Sequence, residues 1–141
     1  MILRGGLSGL AGGLALGFFL KWIQIVTGLK VYTLLLNVDF VYSNPLPEWV
    51  EFVIHLIVAI FIGMGFGFAI EKLRVIGFLK TYGVALLITL PALFLYFPLS
   101  MLARKEVPSV FDLEAFGWWG GGHLVFAGVM AGVKRAMKNT S

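Results

Sequence analysis

The chain has 141 residues, of which 60% are hydrophobic and only 13% charged, and its mean hydropathy is +0.96. That balance excludes an ordinary water-soluble domain and points to a bilayer as the solvent. Cysteine is absent, which removes disulfides, thiolate metal ligands and cysteine nucleophiles and leaves the redox compartment unreadable.

A pI of about 9.6 would suggest nucleic acid in a soluble protein. Here the basic residues flank apolar runs, so membrane topology explains the charge and no nucleic-acid partner is expected. Four runs reach the length of about 20 residues that a bilayer crossing needs: 5–27, 49–70, 79–102 and 117–133. Hydrocarbon offers no water to unpaired backbone groups, so each run is expected to be a helix. The sequence predicts an all-α fold, a single transmembrane domain over 1–141 built as a four-helix bundle.

The first run follows Arg4 and carries Gly5, Gly9, Gly13 and Gly17 at four-residue spacing, with Lys21 as the next step. A cleaved signal peptide over 1–20 is disfavoured, because the apolar run continues past Lys21 to Val26 and exceeds a usual signal core. Segment 30–48 is too polar to span and too apolar for a free linker. It is expected to lie along the interface or over the bundle, with Asn44-Pro45 and Pro47 turning the chain into the second helix.

In the second run Glu51, His55, Ala59, Gly63 and Gly67 form one four-residue row. Small residues spaced in this way let helix backbones approach closely. The third run has Pro91 and Pro98 seven apart, hence on one face, and each frees a carbonyl one turn earlier. Segment 103–116 reads as a short outer loop with a helical turn after Ser109. The fourth run places Ala127 and Ala131 below His123, with Gly128 and Gly132 beside them.

Charge sets the direction. Arg4, Lys72, Arg74, Lys80, Lys134, Arg135 and Lys138 gather on one side with Glu71, seven of the 11 basic residues. The other side holds Lys30, Arg104 and Lys105 against six acids, Asp39, Glu48, Glu51, Glu106, Asp112 and Glu114. The positive-inside rule then places both termini in the cytoplasm, an N-in/C-in arrangement. Trp22, Trp49, Trp118 and Trp119 fall near the outer boundary, where amphipathic rings settle.

Lys21, His55 and His123 come from three different runs yet reach a similar depth, about 8–10 Å inside the outer end at 1.5 Å per residue. Glu51 stands one turn above His55 on the same face. Ionisable groups at such depth face the bundle interior or one another. Lys21, Glu51, His55, His123 and Asp112 are therefore expected to form an outward-facing polar pocket roofed by 30–48 and 103–116. Snorkelling of Lys21 to the outer headgroups is the competing reading.

The expected chemistry is ligand binding or a proton-linked function. Glu51 and His55 at i, i+4 suit a metal, but with only two histidines and no HExxH no metal or other cofactor is expected. No GxSxG nucleophile and no phosphate-binding loop is present, so no enzyme is expected. The alternatives are an accessory subunit of a larger membrane complex and a metal-dependent membrane enzyme using Glu51, His55 and His123. The expected partners are the lipid bilayer and a second copy or another membrane protein.

Several short motifs resemble the YagU-like family of small bacterial inner-membrane proteins. They are the glycine-rich first helix running into Lys21-Trp22, HLIVAIFIGMGFGFAIEK from His55, Phe97-Pro98-Leu99, Pro108 with Phe111-Asp112, and Gly122-His123-Leu124-Val125 before a basic tail. The likeness runs from about residue 6 to 139, with a shorter outer segment 30–48 and no second proline beside Pro108. It implies a multi-pass bacterial inner-membrane protein with no established catalytic activity. It also marks Lys21, His55, Pro98, Asp112 and His123 as matching positions.

Overall fold

A computed structural model describes residues 2–37, 46–103 and 107–140. Among these the secondary structure is all helical: α1 (Ile2–Thr27), α2 (Val31–Leu35), α3 (Glu48–Lys72), α4 (Phe78–Phe94), α5 (Tyr96–Leu102) and α6 (Leu113–Thr140). Three stretches of the described chain are long and apolar enough to cross a membrane: Leu3–Thr27, Glu48–Lys72 and Phe78–Leu102. The fourth predicted run lies inside α6, which has 28 residues, and its opening Trp118 to His123, rich in glycine and tryptophan, dilutes the hydropathy of that run.

The outer surface is apolar, with Phe18, Ile25, Phe61, Leu87 and Phe94 all exposed, as expected where lipid is the solvent. Helix α1 is the central element. Its Gly5–Gly9–Gly13–Gly17 row packs antiparallel on the Gly67–Gly63–Ala59–His55 row of α3. A methyl built on Gly63 would lie 2.6 Å from the nitrogen and Cα of Gly9. Nothing larger than glycine fits that crossing, and the dispersion gained from close backbones holds the pair.

A second face of α1 packs antiparallel on α6. Gly12 lies under Phe126 and Met130, and Leu16 and Leu20 fill the notch at Gly122. Helix α4 then packs antiparallel on α6, where the Trp119 indole donates to the Leu93 carbonyl at 2.9 Å and the Tyr82 hydroxyl to the Leu124 carbonyl at 3.2 Å. Gly128 and Gly132 meet nothing, so α6 packs through Ala127 and Ala131 of the fourth row.

The prolines act as expected in kind but at a shifted place. Pro91 is accommodated inside α4, and the helix breaks at Leu95, between α4 and α5, three residues before Pro98. Pro98 would free the carbonyl of Phe94, whereas the carbonyl used by Trp119 is its neighbour Leu93. The connection into α6 is pinned back on α5. The buried Tyr96 hydroxyl donates to the carbonyls of Ser109 (2.8 Å) and Asp112 (3.3 Å), and the Ser100 hydroxyl donates to Pro108.

Segment 30–37 packs over the bundle. Val31, Leu34, Leu36 and Asn37 are buried. The Gln24 side-chain carbonyl accepts from the Thr33 N–H at 3.0 Å, and the Asn37 amide donates to the Leu99 carbonyl at 2.8 Å. The expected Asn44-Pro45 turn lies outside the described residues. At the opposite end α3 closes with the Val75 N–H on the Ile70 carbonyl at 3.1 Å. That closure puts Arg74 in the left-handed region at φ 52°, where glycine is the usual residue.

Candidate functional site

Because α1 grips α3 and α6, and α6 in turn grips α4, the circuit is loosest between α3 and α4. A cavity of about 300 Å³ fills this gap. Its walls come from every helical layer: Leu16 of α1, Leu35 to Asn37 at and after α2, Glu51 to Ile62 of α3, Ala92 and Leu95 at the α4 end, Leu99 of α5, and Trp119, His123 and Phe126 of α6. Val58 and Leu95 are wall residues and are also about half exposed on the flank. The cavity therefore opens sideways between α3 and α4, on the face that is apolar outside.

Both histidines line this one cavity. Each ring is fixed by a backbone carbonyl. His55 Nε2 donates to the Gly13 carbonyl at 2.9 Å, across the close crossing of α1 and α3. His123 Nδ1 donates to the Trp119 carbonyl of its own preceding turn at 2.7 Å. The rings also meet aromatic neighbours at a tilt, His123 against Trp119 at 4.8 Å between centroids and His55 against Phe52 at 5.8 Å.

Glu51 is buried and lines the same cavity one turn above His55. It is also a wall of a second recess of about 340 Å³ nearer the helix ends, together with Lys21, Gln24, Tyr32, Thr33 and Glu48. The two recesses share Leu36, Leu46 and Glu51. The arrangement is an apolar chamber below and a polar one above, joined at a buried carboxylate.

Of the remaining sequence-predicted positions, Lys21 walls only the second recess, and Asp112 and Pro98 wall neither. Lys21 reaches outward to an exposed ion pair with Glu48 at 3.3 Å, its ammonium 5.4 Å from the centre of the Tyr32 ring. A long flexible stem carries that charge to the Glu48 carboxylate at the start of α3. Asp112 lines neither recess. Its carboxylate accepts from the Ala115 N–H at 3.0 Å and caps α6. Pro98 is exposed on α5, outside both recesses.

Two walls were not anticipated from the sequence. The sequence places Trp119 with the interfacial tryptophans, but it is 1% exposed and walls the cavity, whereas Trp22, Trp49 and Trp118 are exposed. The reason is the Leu93 carbonyl at the α4–α5 break, which gives the buried indole N–H a partner. Asn37 sits in a segment without helical periodicity, and only its tertiary bond to Leu99 reveals its place. The chamber itself is more apolar than the expected polar pocket, since most of its walls are Leu, Ile, Val, Ala and aromatic residues. No three His, Asp or Glu residues among those described converge as a metal-binding group.

Compared with family models, curated proteins and solved structures, the chain matches none. The reading of this site accordingly rests on its own geometry.

Proposed function

We propose that this is a non-enzymatic multi-pass protein of a bacterial inner membrane that holds a small lipophilic ligand in the chamber between α3 and α4. The observation that carries the reading is the chamber itself. It has apolar walls, few polar groups and a mouth on the lipid-facing flank, the general anatomy of a small-molecule site. A ligand dissolved in the bilayer would enter sideways without crossing water.

The same proposal takes α6 as a fourth span in an N-in/C-in bundle. Its support is the side-by-side antiparallel packing of α6 on α1 and α4 together with the basic bias at the 71–80 connection and after 133. The chain has no cysteine, so single-cysteine variants are clean topology reporters. Leu113→Cys should react with a membrane-impermeant maleimide from outside intact cells, and Ile76→Cys only after lysis. The reverse pattern would reject the orientation.

For the chamber, a photoactivatable alkyl diazirine added to membranes should label Ile54, Val58, Ala92 or Trp119. Filling the space with Ala92→Trp should abolish that labelling. Labelling spread evenly over Phe61, Leu87 and the other lipid-facing positions, and unchanged in Ala92→Trp, would refute a bound ligand.

A further inference from the structure

We infer that the chamber selects an amphiphile whose polar end is a hydrogen-bond donor, an ammonium or a hydroxyl, carried on an apolar body of about a dozen carbons. This inference rests on the proposed ligand-binding reading and adds the class of molecule. Size comes first. A cavity of about 150 Å³ holds benzene, so the 300 Å³ chamber takes about twice as many carbon atoms.

The polarity follows from the hydrogen bonds already made. A neutral imidazole has one donor nitrogen and one acceptor nitrogen. His55 commits its Nε2–H to Gly13 and His123 its Nδ1–H to Trp119. What each ring has left is a lone pair, on Nδ1 of His55 and on Nε2 of His123. No buried side-chain nitrogen or oxygen among the described residues lacks a partner. The two remaining nitrogens, which have none, therefore keep accessible surface, and the space that both rings border is the chamber.

Glu51, the third ionisable wall group, carries no donor when ionised. The Asn37 amide donates to the Leu99 carbonyl, and the Trp119 indole to Leu93. The polar wall thus offers acceptors, and its complement is a donor. A ligand carboxylate or phosphate would bring acceptors against acceptors and leave them desolvated without partners, the costly case for any buried polar group.

The layout also orients the ligand. Ile62 lies seven residues beyond His55, about 10 Å deeper along α3, and Phe126 lies almost a turn beyond His123. The donor end therefore sits at the Glu51, His55 and His123 level, and the tail points inward to Ile62 and Phe126.

The test is a matched series on the purified full chain in lipid nanodiscs: dodecylamine, dodecanol, dodecanoate and dodecane, with affinity read by displacement of the photoactivatable alkyl probe. The amine and the alcohol should bind about tenfold tighter than the acid and the hydrocarbon, the worth of one net hydrogen bond at the strong end of its range. The amine leading the alcohol places the head on Glu51, and equal binding places it on the imidazoles. Dodecanoate binding as tightly as the amine, or dodecane as tightly as the alcohol, overturns the donor rule while leaving the chamber reading intact. No displacement by any of the four overturns both. His123→Phe should retain dodecane and lose most of the preference for donors. Should that variant not fold, the wild-type series already decides.

Discussion

His55 on α3 reaches across the bundle to donate its Nε2–H to the carbonyl of Gly13 on α1, 2.9 Å away. The contact joins the two features that stood out along the sequence, the small-residue row and the ionisable layer. The glycines that allow α1 and α3 to close also bring the imidazole within reach of a carbonyl on the facing helix. Interhelical hydrogen bonds in membranes are worth about 0.6–2 kcal/mol, so His55→Phe should destabilise the fold by about that amount in reversible detergent unfolding. Imidazole nitrogen NMR offers a sharper readout. His55 should be the Nε2–H tautomer and His123 the Nδ1–H tautomer, two different spectra from two rings in one cavity. Identical tautomers would contradict the assigned hydrogen bonds.

The glycine rows give a graded prediction. Gly9 and Gly63 sit where the two backbones touch, and a methyl at either would strike the other helix. Gly9→Ala or Gly63→Ala should cost about 1–3 kcal/mol, the range for overpacking, with a matching fall in thermal stability. Gly65 and Gly83 face open space, and Gly65→Ala or Gly83→Ala should be neutral or slightly stabilising, since alanine is the better helix former. Equal effects at all four positions would mean that α1 and α3 do not cross there.

This contrast shows what the sequence reveals and what it hides. The row Gly5, Gly9, Gly13, Gly17 against Ala59, Gly63, Gly67 is readable because helix packing repeats every four residues, and the structure uses both rows. The same spacing reads equally well at Gly128 and Gly132, which meet nothing, because spacing names a face and not its neighbour. Depth along a helix is readable too, and it brings His55 and His123 to one cavity. It does not show that the long stem of Lys21 carries its charge up to Glu48, and it misplaces Trp119, whose buried indole N–H depends on the Leu93 carbonyl of another helix. Asp112 looks like a site residue in the sequence and serves as a helix cap in the structure. The apolar character of the chamber is a property of all the helical layers at once, which no single stretch displays.

Asp112 makes its own prediction. Its carboxylate caps α6 through the Ala115 N–H at 3.0 Å. Asp112→Ala should cost about 1 kcal/mol, typical for a lost N-cap, and Asp112→Asn or Asp112→Ser should restore most of it. Capture of the alkyl probe should be unchanged in all three folded variants. Loss of capture with normal stability would make Asp112 a ligand contact instead.

Arg74 occupies a left-handed backbone position, φ 52°, at the closure of α3. A side chain there costs about 1 kcal/mol relative to glycine, so Arg74→Gly should stabilise the fold by up to that amount, less what glycine gains in unfolded-state entropy. Arg74→Ala should not stabilise it, because the methyl keeps the strain. Calorimetry of the three proteins in one detergent checks the order. Arg74→Ala matching Arg74→Gly would show that lost charge, and not backbone relief, sets the change.

The strap formed by α2 should loosen in alkali. The Tyr32 hydroxyl is raised well above its usual value of 10.0, first by burial and then by its hydrogen bond to the Glu48 carboxylate, with the charges of Glu48 and Glu51 adding to the shift. A group whose value is raised on folding holds its proton more tightly in the native state. Its contribution is complete below pH 10 and declines as pH rises beyond that toward the folded value. Stability of the wild type should therefore fall above pH 10 with a slope that Tyr32→Phe lacks. The exposed Lys21–Glu48 ion pair beside it is worth about 0.2–1 kcal/mol. Lys21→Met combined with Tyr32→Phe separates the two contributions. A slope retained in Tyr32→Phe but lost in Lys21→Met would assign the alkaline loosening to the ion pair and free Tyr32 of any part in it.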